Sequence, residues 1–189
     1  AKIVKELTGK QASVNLDPTL LLTPDEWDDI CDERPFLKDP YMLVYILTYA
    51  VGEMPYLNDL IRRVQVKMNV QTVYLGNRIE GINCDRFITA CSPTQFVSLI
   101  KGASYVITTS FHGTAFSINY GKPFTSIIDN MADDRILTLL NKLDLMDNLL
   151  FSEKAYNENT IRINGTRQHQ KLLESLRMKN LENLSMILR

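Results

Sequence analysis

The sequence predicts an α/β domain in which a parallel sheet lies between layers of helices. Two observations carry that prediction. Short apolar runs alternate with segments of helical periodicity, and one run, Tyr41 to Thr48, is apolar and aromatic throughout, as a strand buried on both faces must be. Alternation of this kind implies right-handed crossovers and a sheet sandwiched by helices. A chain of 189 residues is long enough to bury a real core, as one domain with appendages.

The elements follow in order. After the 41–48 strand, Leu57, Leu60, Ile61, Val64 and Met68 recur at helical spacing, and "QTVYL" (71–75) is the next strand, closed by Gly76. Ser92 as N-cap and Pro93 in the first helical position open a helix that turns Phe96, Leu99 and Ile100 inward. "SYVITT" (104–109) is a strand, 113–120 a short helix and "PFTSII" (123–128) a strand. A helix over 134–143 places Ile136, Leu140 and Leu143 on one face. Upstream, Thr23, Pro24 and Glu26 spell a capping box. Downstream, 151–165 is polar and loop-like, and 167–187 is a helix whose stripe is Leu173, Leu176, Leu184 and Ile187.

Composition narrows the function. A net charge of -1 argues against a dedicated nucleic-acid binder, which needs a basic face to displace counterions. No apolar run approaches the roughly 20 residues of a membrane span, and the polar opening "AKIVKELTGKQ" does not resemble a secretory signal. The three cysteines, Cys31, Cys84 and Cys91, have no metal-ligand spacing and read as reduced thiols, so no metal is expected and a cytoplasmic setting is.

In open parallel sheets, ligands gather outside the carboxyl ends of the strands. That rule assigns 48–52, 76–78, 110–114 and 129–135 to the working edge. Lys122, just before a strand, falls at the opposite edge as a solvated turn. Ser110-Phe111-His112-Gly113-Thr114 is the best furnished of these loops. A helix starts there, so free N–H groups and the positive end of its dipole suit a phosphate or carboxylate. Gly113 would let a ligand approach the backbone, Ser110 and Thr114 would add hydroxyls, and His112 can exchange a proton near neutral pH. A histidine at a strand end is equally at home as a capping or packing residue. Arg135 sits in the first turn of a helix, against the dipole, and so calls for an anion: either Asp133 and Asp134 or a ligand held bidentately. His169 has no chemical company.

"LTGKQASVNLDPTLLLTPDEW", "SPTQFVSLIKGASYVITTSFHGTAFSINYGKPF" and "DDRILTLLNKLDL" together resemble the carboxyl-terminal half of the polysaccharide pyruvyl transferase family over most of residues 7–147. The resemblance implies a glycosyltransferase-B-like architecture of two Rossmann-like halves facing across a cleft. This chain would be the second half: a linker and leading helix (1–35), a Rossmann-like domain (36–150), and a loop and terminal helix (151–189) that crosses back to an absent amino-terminal half. With that half missing, the fragment is expected to be inactive and the terminal helix to expose apolar residues. The activity implied is transfer of pyruvyl from phosphoenolpyruvate onto two sugar hydroxyls as a ketal during surface polysaccharide synthesis. It needs no metal or organic cofactor and takes place in the cytoplasm or at the inner face of the membrane. The family histidine falls on His112, as general acid, and the downstream arginine on Arg135, as anion clamp. Many members carry arginine where this chain has Ser110, so the donor's charge must be met by Arg135, the helix N-terminus or the other half. Competing readings are a transferase using a nucleotide-sugar donor in the same cleft and a non-catalytic sugar- or anion-binding domain.

Overall fold

The computed structural model describes residues 2–31, 37–47, 54–77, 80–129, 134–151 and 161–188. The loop expected at 48–52, Arg78 and the 130–133 stretch with Asp133 lie outside the described residues, as does the side chain of Asp134. Among the described residues, six strands form one wholly parallel sheet: β1 (Tyr41–Tyr45), β2 (Gln71–Leu75), β3 (Arg86–Ile88), β4 (Tyr105–Thr108), β5 (Phe124–Ile128) and β6 (Leu149–Phe151), in the order β3-β2-β1-β4-β5-β6. This is the doubly wound, Rossmann-like order, and its direction reverses between β1 and β4, where Tyr45 pairs with Thr108. The four anticipated strands are all present. The two edge strands β3 and β6 were not anticipated, because three residues each are too few to show a period.

Alternation along β1 divides the core. Tyr41 and Leu43 face α4 (Pro93–Gly102), α5 (Phe111–Asn119) and α6 (Asp134–Lys142), whereas Met42 and Val44 face α3 (Leu57–Met68). The capping box read at Thr23 opens α2 (Pro24–Asp28), and the N-cap read at Ser92 opens α4, where Gln95 completes a second box. A further helix, α1 (Lys2–Thr8), stands near the amino terminus with Ile3 and Leu7 exposed. The left-handed Gly121, at φ +63°, ends α5 by donating to Ile118 O at 3.0 Å.

Helix α5 is buried nearly all round, and the flanking segments supply its cover. Leu16, Leu20 and, from α7 (Gln170–Ile187), Leu173 join its core. The α7 stripe departs from the apolar reading: its buried residues are Leu173, Arg177 and Asn180, and Ile187 is 74% exposed. Arg177 Nε donates to Leu20 O at 2.8 Å and Nη2 to Asn119 Oδ1 at 3.0 Å, while Glu174 takes the remaining charge. Asn180 Oδ1 accepts from Leu16 N at 2.7 Å, and Asn119 Nδ2 donates to Leu22 O at 3.1 Å. A polar knot thus ties both ends of the chain to α5. Past Asn180, α7 turns Leu181, Met186 and Ile187 to solvent.

Arg177→Met keeps the stem but leaves two buried acceptors unpaired, at about 1–3 kcal/mol each. Chemical denaturation should show a loss of roughly 3 kcal/mol; an unchanged midpoint would mean that the knot contributes nothing.

Lys122 lies at the amino edge, as expected, but is half-buried rather than solvated. Burial first, then the charges of Arg167 and Lys101, hold its ammonium below the ordinary lysine range. With the folded pKa below the unfolded one, the penalty is complete at neutral pH. It is relieved as pH rises through the folded value toward the unfolded one near 10.4. Lys122→Met should therefore raise the melting temperature at pH 7, and the advantage should shrink toward pH 10. A gain independent of pH would refute the electrostatic origin.

Candidate functional site

Three consecutive hydroxyls build the turn between β4 and α5. Thr108 Oγ1 donates to Tyr45 O at 2.9 Å and accepts from Ser110 N at 3.0 Å. Thr109 Oγ1 accepts from Leu47 N at 2.7 Å, pinning the carboxyl end of β1 to that of β4. Ser110 Oγ accepts from Gly113 N at 3.3 Å and caps the helix. The amides of Phe111 and His112 remain as the first-turn donors at the positive end of the dipole.

The five site residues take different places. Ser110 and His112 share a cleft of about 370 Å3 with Trp27, Tyr45, Phe96 and Phe116. The aromatic walls brace one another: Trp27 meets Phe116 edge-on at 4.9 Å between centroids, and Tyr45 meets Phe96 at 5.2 Å. The His112 ring is exposed, packs edge-on to Phe111 at 5.6 Å and makes no hydrogen bond among the described residues, so its nitrogens are available to a ligand. Gly113 and Thr114 face inward instead. A Cβ on Gly113 would lie 2.4 Å from Thr108 Oγ1, so this glycine serves close helix–strand packing rather than ligand approach. Thr114 Oγ1 lies 2.6 Å from Ser126 Oγ and 3.0 Å from Ser110 O, bracing α5 against β5. Arg135 is at the working edge but in a neighbouring cleft, its guanidinium 4.9 Å from the Phe111 ring centre. His112 and Arg135 both contact the Phe111 ring, the first edge-on and the second over its face.

Sequence reasoning did not foresee Trp27 as a wall of the His112 cleft. The signal was present, since the Thr23–Glu26 capping box fixes the turn that delivers it, and the indole N–H donates to Thr19 O at 2.9 Å. Cys91 lines a further cleft, over the ends of β1 to β3, and burial pushes its thiol pKa up, consistent with a reduced, unreactive cysteine.

A parallel sheet in this strand order, with a cleft at its switch point, defines a Rossmann-like α/β domain. The sequence model of the polysaccharide pyruvyl transferase family matches residues 1–130, and the chain belongs to that family. It is thereby a member of a family of transferases. No curated protein sequence matches it. Among solved structures, the glycotransferase of kitacinnamycin superposes with a TM-score of 0.53 at 10% identity, over 79% of this chain and 41% of that one. The ADP-heptose LPS heptosyltransferase II of E. coli gives 0.43 at 15% identity, over 90% and 56%. The chain thus spans less than two thirds of either structure's length, and the first likeness shows a shared fold.

Gly113→Ala should lower stability by about 1–3 kcal/mol through overpacking against Thr108. The double variant with Thr108→Ala should recover part of that loss in a double-mutant cycle. Strictly additive effects would show that the two residues do not press on each other.

Proposed function

We propose that the protein is a pyruvyl transferase acting on a sugar acceptor in surface polysaccharide synthesis, with phosphoenolpyruvate as donor. The observation that carries this reading is the position of His112. In a chain of this family, its one histidine on the working edge stands exposed at the mouth of an apolar-walled cleft beside a helix N-terminus.

His112, as imidazolium, protonates the methylene carbon of the enolpyruvyl group, and C2 becomes an oxocarbenium-like centre. One sugar hydroxyl attacks C2 and returns a proton to the imidazole. The second hydroxyl then attacks as the C2–O bond breaks, and phosphate leaves carrying the second proton. Ser110 and the α5 amides of Phe111 and His112 receive the donor's anionic end. Gly113 and Thr114 hold that helix terminus in place. Trp27, Phe96 and Phe116 keep water from the cationic carbon. Arg135 binds substrate from the neighbouring cleft. No metal or organic cofactor is required in this reading. A second Rossmann-like half closes over the carboxyl edge, so the 189-residue chain alone turns over poorly.

Incubating the full-length protein with phosphoenolpyruvate and a panel of sugar acceptors should release phosphate in step with ketal formation. His112→Gln should depress turnover by about two to four orders of magnitude, the range for a general acid. Full activity in that variant, or no release with any acceptor, would overturn the assignment.

A further inference from the structure

The second cleft beyond Phe111, also about 370 Å3, runs between α6 and the segment Val14–Asp17. Arg135 and Lys142 both line it from α6, seven residues apart and so on the order of 10 Å along the axis. Thr138 and Leu139 lie between them on the same face, and Asn15 and Asp17 stand opposite. Neither cation has a carboxylate partner among the described residues. Arg135 rests over Phe111, and Lys142 donates to Val14 O at 3.3 Å. Asp17 is already engaged, its Oδ1 accepting from Thr19 N at 3.0 Å and from Thr19 Oγ1 at 2.7 Å. The polar cleft at the opposite edge differs, since there Arg162 is neutralised by Asp147 at 2.6 Å.

We propose that the Arg135–Lys142 cleft is a subsite for an acidic saccharide, the acid being a sugar carboxylate or a sugar phosphate. The two cationic side chains leave α6 about two turns apart, a spacing that suits a chain of a few pyranose rings. Arg135 offers a planar fork for a carboxylate or phosphate, and Lys142 a point charge further along. Asn15 meets hydroxyls, and Leu139 and Phe111 meet the apolar faces of sugar rings. Phe111 also packs against the His112 ring, so a saccharide in this cleft arrives beside the group that would act on it. That the ligand is an acceptor rests on the pyruvyl-transfer reading; the preference for acid does not.

Calorimetric titration of the full-length protein tests it, using tetragalacturonate, its methyl ester and a mannose tetrasaccharide carrying a terminal phosphate. At least one acidic oligosaccharide should bind about tenfold or more tightly than the ester, with affinity falling as salt rises. Which of the two binds identifies the acid. Arg135→Ala and Lys142→Ala should each weaken that binding by about tenfold with unchanged melting curves, and Lys142→Arg should preserve it. Equal affinity for the ester, unaffected variants, or displacement of the oligosaccharide by phosphoenolpyruvate would each overturn the proposal, the last by assigning the cations to the donor. Acid-selective binding without any phosphate release from phosphoenolpyruvate would sink the pyruvyl-transfer reaction and leave the subsite standing. Phosphate release with no acid selectivity would do the reverse.

Discussion

The close approach of Gly113 to Thr108 is the constraint on which the working edge depends. With no side chain at 113, the first turn of α5 sits directly on the end of β4, and the Thr108 hydroxyl occupies the space a Cβ would take. That hydroxyl also accepts from Ser110 N and donates to Tyr45 O, so one threonine sets the helix terminus, the turn and the neighbouring strand together. Each bond is worth only about 1 kcal/mol net, but the groups are buried and leaving one unmade would cost more. Rigidity here makes His112 a fixed point: its backbone belongs to a turn with no slack, and its ring alone reaches into the cleft.

A helix buried on every side needs partners on every side, and the sheet provides only one. The remainder comes from the chain's flanks. Asn119 near the end of α5 receives Arg177 from α7 and donates to the 19–22 segment. Through these contacts residues far apart in sequence hold the same helix, and Trp27 is delivered to the His112 cleft by the segment so anchored. The flanks that resembled appendages in the sequence are therefore part of what shapes the crevice.

Hydrophobic periodicity made the parallel sheet legible, because buried strands such as β1 and β4 are largely apolar in runs and α6 is apolar on one face. It could not reveal the three-residue edge strands β3 and β6. Nor could it see that Arg177 and Asn180 are interior, since a polar residue satisfied by distant backbone carries no mark in its own neighbourhood. The carboxyl-edge rule brought Ser110 and His112 to one cleft. It could not say that the Arg135 side chain would line a neighbouring cleft, because the rule sorts residues by edge and not by rotamer. Gly113 and Thr114 illustrate the same limit: glycine and threonine suit a ligand loop and a tight helix–strand contact equally well, and only packing decides between them.

The resemblance implies arginine in many members where this chain has Ser110, and the structure gives that position a tight setting. The position is 5% exposed, inside a turn whose hydrogen bonds use both its amide and its hydroxyl. An arginine there would have to surrender the cap on Gly113 and thread its side chain out past Phe116 and Tyr45 into a cleft with apolar walls. This chain keeps the neutral cap, and among the described residues the positive charge near that edge stands on α6, where Arg135 stacks over Phe111. The Phe111 ring touches both His112, which lines the aromatic-walled cleft, and Arg135, which lines a cleft shared with Lys142.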